Sequence, residues 1–317
     1  MAAIKNFNFF ILCFVLFNIQ LFANTYQPPQ PIKLSPTIIK GLLKLDSAST
    51  GFYSVPFWES VAANSTDSTP QSFIKDNGVV IAKQLFQRFC ANPMLSAPTI
   101  PSIVHMIWMG SPPTPTVTLA MMSWKKHHPN WEIRLWTDKE IEALIWSHPK
   151  SELLFTQAQN WAEKSDILRF EILYQYGGIY ADTDAICLKP LDSLVKSGIG
   201  FFGCFEENKV KIFGRPLIGS AVIGSSKNNP ILHRCIDYSS TKTEQPQLKQ
   251  HIRSGPGPLS RACYEALETD QKDILIFPCS YFYPLPWDKR WYSFEQIVET
   301  IRPESFVIHL WEGSWFN

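Results

Sequence analysis

Along this chain the spacing of apolar residues switches between a helical and a strand-like period, and the switches divide it into segments. Ile4 to Ala23 forms one apolar run with Lys5 as its charge, ending in Leu21-Phe22-Ala23 before Asn24. A basic start, an apolar stretch and a small residue at its end fit a secretory leader. The run also approaches the ~20 residues that cross a bilayer, so an uncleaved anchor is the rival reading. Residues 1–23 are expected to be a signal peptide or signal anchor. The remainder is then exported (secreted, periplasmic or lumenal) or held at a membrane by this segment. Residues 24–70 are rich in Pro, Ser and Thr, the composition of a stem. Phe73, Val79, Val80, Leu85, Phe86 and Phe89 then recur at helical intervals, predicting a helix over Gln71–Asn92 closed by Pro93. Residues 24–98 therefore read as a stem and helical arm, and 99–317 as the functional body.

In the body, Ile103–Trp108 reads as a buried strand ending in a Gly110/Pro112/Pro113 loop. Val117–His128 suits a helix, Glu132–Trp136 a second strand, and Asp138 a cap for a helix running to Trp146. A third helix is predicted over Ser165–Tyr176, capped by Ser165 and stopped by Gly177-Gly178, with a strand following over Ile179–Asp182. Further strands are expected at Phe201–Phe205, Leu217–Ile223, Ile274–Phe277 and Phe306–Leu310. Strands alternating with helices of this length predict an α/β fold.

Composition narrows the function. With 29 Lys+Arg against 28 Asp+Glu, the chain lacks the basic excess that nucleic-acid binding requires. Its 45% hydrophobic content rules out wholesale disorder. Beyond Cys13 in the leader stand Cys90, Cys187, Cys204, Cys235, Cys263 and Cys279, an even number without CxxC spacing. Disulfides are permitted in an exported chain, a thiolate zinc site is not indicated, and separate buried thiols are the preferred reading.

The densest chemistry lies in Ser165-Asp166-Ile167-Leu168-Arg169 and in Tyr176-Gly177-Gly178-Ile179-Tyr180-Ala181-Asp182-Thr183-Asp184. Asp182 and Asp184, two apart in extended chain, project from one face and repel unless they share a cation. Hard oxygen ligands of this kind select Mn2+ or Mg2+. An Asp-x-Asp taken alone is equally a solvated turn at a strand end. Asp166 and Arg169, three apart on a helix, share a face, and taken alone they are a cap with a local ion pair. Gly177 and Gly178 permit a sharp turn and close approach of a ligand to the backbone.

These runs resemble the DxD sugar-binding region of glycosyltransferase family 32. That family includes α-mannosyltransferases and inositol-phosphoceramide mannosyltransferases, and is related to the glucosylating bacterial toxins. The likeness continues through Ile100–Trp108, Trp124–Trp131 with Leu135–Asp138, Gly255–Ser260 and the closing His309-Leu310-Trp311-Glu312-Gly313-Ser314-Trp315. It implies a GT-A type fold, a mixed central sheet flanked by helices. It also implies a metal-dependent, retaining transfer of a hexose from a UDP- or GDP-sugar to a hydroxyl of a lipid, glycan or protein. Carried over by residue, Trp108 would lie near the nucleotide base. Asp166 and Arg169 would hold the donor sugar, with Gly177, Gly178 and Tyr180 in the same donor-binding region. Asp182 would touch ribose and sugar and, with Asp184, form the catalytic pair. Asp184 would hold the metal most directly, with Asp182 and His309 completing its site. Ser314 and Trp315 would close over the phosphates. His309 alone reads equally as a packed residue, and Trp311 as a core aromatic. The chain departs from the family at Gly219-Ser220-Ala221, where relatives often carry Asn-Ala, and at Ser254, where Thr is usual. Donor and acceptor identity rest on those positions. The alternatives are a non-catalytic carbohydrate-binding protein that keeps the fold, a secreted effector glycosylating a host protein, and a metal phosphohydrolase, for which too few acidic and His ligands stand together.

Overall fold

The computed structural model describes residues 77–91, 99–206, 211–212, 215–269 and 273–313. The leader, the stem, Ser314 and Trp315 lie outside the described residues.

The elements in order are α1 (Asn77–Ala91), β1 (Ile103–Ile107), α2 (Pro115–His127), β2 (Glu132–Trp136), α3 (Asp138–Glu142), α4 (Pro149–Gln157) and α5 (Trp161–Tyr176). Then come β3 (Gly178–Ala181), β4 (Ala185–Cys187), α6 (Asp192–Val195), β5 (Phe201–Phe205), β6 (Lys211–Ile212), β7 (Arg215–Pro216) and β8 (Ile218–Ser225). The chain continues with α7 (Pro230–Tyr238), α8 (Gln250–Arg253), α9 (Pro256–Glu268), β9 (Ile274–Phe277), α10 (Phe294–Thr300) and β10 (Val307–His309).

A six-stranded sheet runs in the order β2-β1-β3-β8-β5-β9. The β2-β1-β3 side is parallel, β8 is antiparallel to both its neighbours, and β9 is parallel to β5. The sheet is therefore mixed and flanked by helices, as expected. Every residue of β1, β3, β5, β8 and β9 is buried, because helices cover both faces; these strands consequently read as mostly apolar runs, with His105 in β1 and Ser220 and Ser225 in β8 as buried polar exceptions. β4 and β10 form a separate antiparallel ribbon, and β6 pairs with β7.

Several boundaries differ from expectation for identifiable reasons. Helix α5 begins at Trp161, not Ser165: the Asn160 side chain caps the Glu163 amide, which places Ser165 and Asp166 inside the helix rather than at its positive end. Ten residues of α5 are buried, including Glu163, Asp166, Arg169 and Glu171, so this is a central helix with charged groups inside. Asp138 is not the cap of α3. Thr137 occupies that position, its amide donating to Glu140, while Asp138 Oδ2 accepts from Gly110 N at 2.9 Å. That helix stops at Glu142 instead of Trp146, and α4 follows with Pro149 in its first turn. Helix α1, expected within the arm, places Val79, Ala82, Phe86 and Phe89 in the main core, with Phe86 edge-on to Phe277 and Tyr281. The six described cysteines are all free thiols. Among the described residues no helix is long and apolar enough to cross a membrane.

Candidate active site

The carboxyl end of β3 is the focal point. Asp182 follows its last residue, and its amide donates to Ala221 O of β8 at 2.8 Å. The Tyr180 hydroxyl, buried with its ring, donates to Asp182 Oδ1 at 2.6 Å. Asp184 immediately precedes β4, whose register with β10 pairs Ala185 with His309. That pairing draws a residue more than 120 positions away in sequence onto the carboxylates. His309 Nε2 stands 3.0 Å from Asp184 Oδ1 and 3.8 Å from Asp182 Oδ2. Ligand atoms of Asp182, Asp184 and His309 lie within 4.8 Å of one another. Beyond the ribbon, Glu312 N donates to Asp184 Oδ2 at 2.8 Å, and Thr116 Oγ1 of α2 donates to Glu312 Oε1 at 2.9 Å. Trp311 holds the imidazole from the side, its ring 4.1 Å from that of His309 and its indole N–H on Leu285 O at 2.7 Å.

From the other direction comes α5. Arg169 Nη2 meets Asp166 Oδ1 at 2.9 Å, and Arg169 Nη1 lies 3.3 Å from Asp182 Oδ1. The same Nη1 donates to Ser220 O at 2.7 Å and Ser220 Oγ at 3.0 Å. Ser254 Oγ donates to Asp166 Oδ2 at 2.8 Å. Both departures from the family pattern, Ser220 and Ser254, thus hold the Asp166–Arg169 pair. Gly255 sits at φ 60°, and a Cβ there would come within 2.5 Å of Asp166 Oδ1, so glycine is required for the carboxylate to reach its place.

The electrostatics ask for positive charge. Burial raises the carboxyl of Asp182 above the ordinary range, and Asp184 adds to this; Arg169, His309 and the Tyr180 hydroxyl act against it. Burial also opposes charge on Asp184, yet His309 and the Glu312 amide hold its carboxyl below the ordinary value. Burial favours a neutral His309, but Asp184 and Asp182 outweigh it and raise the imidazole. Nδ1 of His309 is buried without a hydrogen-bond partner. Two carboxylates and an imidazole form an oxygen-rich donor set that fits Mn2+ or Mg2+.

Other expected site residues fall elsewhere. Gly177 (φ 64°) and Gly178 (φ 96°) do take left-handed backbone, but they lie at the opposite end of β3 from Asp182, about 13 Å by strand rise. The space beside them is filled by the chain itself: a Cβ would meet Lys227 N at 2.8 Å and Ile103 O at 2.6 Å respectively. Gly177 O also lies 3.0 Å from His105 Nε2, and His105 Nδ1 accepts from Trp136 Nε1 at 3.1 Å. The two glycines therefore lock β3 to β1. Tyr180 is buried and turned to Asp182, so it positions that carboxylate. Trp108 is half-buried just beyond β1, its indole N–H on Pro112 O at 3.2 Å. The parallel register His105↔Tyr180 carries the chain at Trp108 to the same edge as Asp182. Sequence reasoning missed Ser220, Ser254 and Gly255 as holders of the acid–guanidinium pair. Their signal was the small, kinked Gly-Ser and Ser-Gly-Pro-Gly stretches.

Residues 114–198 match the family profile described as "Glycosyltransferase sugar-binding region containing DXD motif". That stretch, similar to a DXD-type glycosyltransferase sugar-binding region, contributes β1's neighbours β2 and β3 to the mixed sheet. It is 32% identical over 104 residues to inositol phosphoceramide mannosyltransferase 1 of Schizosaccharomyces pombe, spanning 30% of this chain and 31% of that protein. It is 32% identical over 143 residues to an uncharacterized glycosyltransferase of Acanthamoeba polyphaga mimivirus, 42% of this chain and 52% of that one. The chain therefore spans 31% to 52% of the length of these relatives. Among solved structures, the PaToxG glycosyltransferase aligns with a TM-score of 0.45 at 18% identity, over 69% of this chain and 83% of that one.

Proposed function

We propose that this protein is a metal-dependent, retaining glycosyltransferase that moves a hexose from a UDP- or GDP-sugar to a hydroxyl acceptor. The observation that carries the reading is the convergence of Asp182, Asp184 and His309 within 4.8 Å, next to the Asp166–Arg169 pair. Asp184, Asp182 and His309 would hold the cation. Bound there, Mn2+ or Mg2+ supplies Lewis-acid charge for the diphosphate of the donor. The chain's own residues do the rest. Tyr180 and Arg169 fix the Asp182 carboxylate from two sides. Arg169, anchored by Asp166 and Ser220, offers fixed positive charge beside it, and charge aimed where the transition state develops its own is the largest single contribution to such catalysis. Asp166, its oxygens held by Arg169 and Ser254, would accept from a sugar hydroxyl alongside those contacts. The Trp311 ring keeps the His309 imidazole from turning.

A mannose donor and an inositol-containing lipid acceptor are favoured by the names of the yeast relatives, with glycan or protein hydroxyls as the other acceptors. We place the enzyme outside the cytosol, secreted, lumenal or periplasmic, with its N-terminal apolar segment as leader or membrane anchor. A panel of UDP- and GDP-sugars with Mn2+, reading nucleotide release, tests the reading. Release with one donor, abolished by chelator and restored by Mn2+, is expected. Donor binding without release on any acceptor would instead indicate a carbohydrate-binding protein.

A further inference from the structure

A second cluster lies on the outside of the helical layer. His148 is the N-cap residue of α4, and His233 and Asp237 sit one turn apart on α7, so both project from the same helix face. His233 Nδ1 is 3.0 Å from Asp237 Oδ2, and His148 Nε2 is 3.7 Å from Asp237 Oδ1. The two imidazole centroids are 4.9 Å apart, and ligand atoms of all three side chains fall within 4.8 Å of one another.

We propose that His148, His233 and Asp237 form a zinc site that clasps α4 to α7, apart from the site of glycosyl transfer. Two imidazoles and a carboxylate are borderline ligands suited to Zn2+, which commonly takes three protein ligands and a water. Bonds of ~2.0–2.1 Å in a tetrahedron put neighbouring ligand atoms ~3.4 Å apart. The ligand atoms, one from each side chain, lie within 4.8 Å of one another, with 3.0 Å to Oδ2 and 3.7 Å to Oδ1 of Asp237, so side-chain rotations that bring both imidazoles to one carboxylate oxygen close the site.

The surroundings are already fixed. Ser147, next to His148, gives both its amide and its hydroxyl to Glu171 Oε1, each at 2.6 Å. Lys150 Nζ donates to the carbonyl of Asp237, tying the first turn of α4 to α7, and the Tyr174 ring backs His233 at 5.9 Å. One contact opposes binding. His148 Nδ1 accepts from the Lys150 amide at 3.2 Å, which places the proton of the neutral ring on Nε2. Ligation through Nε2 moves that proton to Nδ1 and releases the capping bond, a cost of about fivefold in affinity.

The experiment is a calorimetric Zn2+ titration of the full chain carrying Asp184→Ala, which removes a ligand of the other metal cluster. A single zinc per chain is expected, with binding weakened about 100-fold by His233→Ala. His148→Asn keeps a side-chain oxygen to cap the Lys150 amide while losing the ligand, and it should weaken binding as severely. Both variants should unfold in EDTA at the temperature of their parent, and the zinc-induced rise in that temperature should vanish. Zinc affinity within twofold of the parent in both variants, or no zinc bound by the parent, overturns the proposal. So does full affinity in His148→Asn, which would leave His148 as a cap alone. None of these readouts depends on glycosyl transfer.

Discussion

Two carboxylate–guanidinium pairs start from the same helix, α5, one turn apart, and they serve opposite purposes. Glu163 meets Arg253 at 2.8 Å, and its two oxygens also accept the amides of Lys242 at 3.1 Å and Gln159 at 3.2 Å. The Glu163 side chain is fully buried, and the pair ties α5 to the end of α8. Asp166 meets Arg169 at 2.9 Å, but here the guanidinium continues to Asp182, whose side chain keeps 26% of its surface open. The first pair ends in the protein interior; the second leads to an acid that solvent or a ligand can reach. A buried ion pair is scaffolding when its acceptors are all used inside the fold, and part of a site when its charge is passed to a partly open neighbour.

The sharpest way to break this contrast is Arg253→Met. Leaving Glu163 buried without its cation should cost about 3–5 kcal/mol of folding stability. Urea unfolding measures it, and a loss near zero would remove the scaffolding role. Asp184→Ala should do the reverse, lowering metal-dependent nucleotide release by about 10²–10³-fold, equivalent to about 3–4 kcal/mol of activation free energy. Its unfolding midpoint should fall less than that of Arg253→Met, because relief of repulsion from Asp182 offsets part of the loss of the contacts to His309 and the Glu312 amide. Unchanged turnover would remove Asp184 from the metal site.

Acid sharpens the comparison from outside the pairs. Burial holds His105 down to about 4 from 6.5, with the nearby Arg134 adding to the effect and the bond to Gly177 opposing it. The unfolded imidazole takes a proton that the folded one refuses. Stability should therefore be full above about pH 6.5 and fall towards pH 4, by about 3 kcal/mol from this group. Unfolding of parent and His105→Gln at about pH 7 and about pH 4 isolates the contribution, since the acid loss should be smaller in the variant. Gly255→Ala, the mildest change, forces a Cβ against Asp166 at a left-handed position and should cost about 1–2 kcal/mol. Donor affinity should fall with it, whereas a loss of stability with unaltered donor affinity would detach Asp166 from the sugar.

Much of the frame was readable locally. β1, β3, β5 and β9 fall where apolar runs and turn residues place them, because a strand buried on both faces is mostly apolar, and the partly exposed edge strand β2 falls at its expected place as well. The Asp-x-Asp pair was visible too, but not for the reason expected: β3 ends at Ala181, and a turn in which Ala185 N donates to Asp182 O at 2.9 Å, not extended-chain alternation, brings Asp182 and Asp184 together. The start of α5 was misplaced because Ser165 and Asn160 both suit a cap, and only packing selects between them. Gly177 and Gly178, whose neighbouring space is filled by the chain, show a related limit. A positive φ is visible in a glycine pair, but whether ligand or protein fills the adjoining space is not.

The sequence by itself determined the alternation of strands and helices and the charged face of Asp166 and Arg169, both consequences of local backbone periodicity. The tertiary structure brought His309, expected there only through the family resemblance, onto the carboxylates, and it alone decided that Ser220 and Ser254 hold the acid–guanidinium pair and that Glu163 belongs to the scaffold. Each of these depends on strand register and helix packing between residues distant in the chain. Such contacts form through the collective burial of a core, which no local pattern encodes.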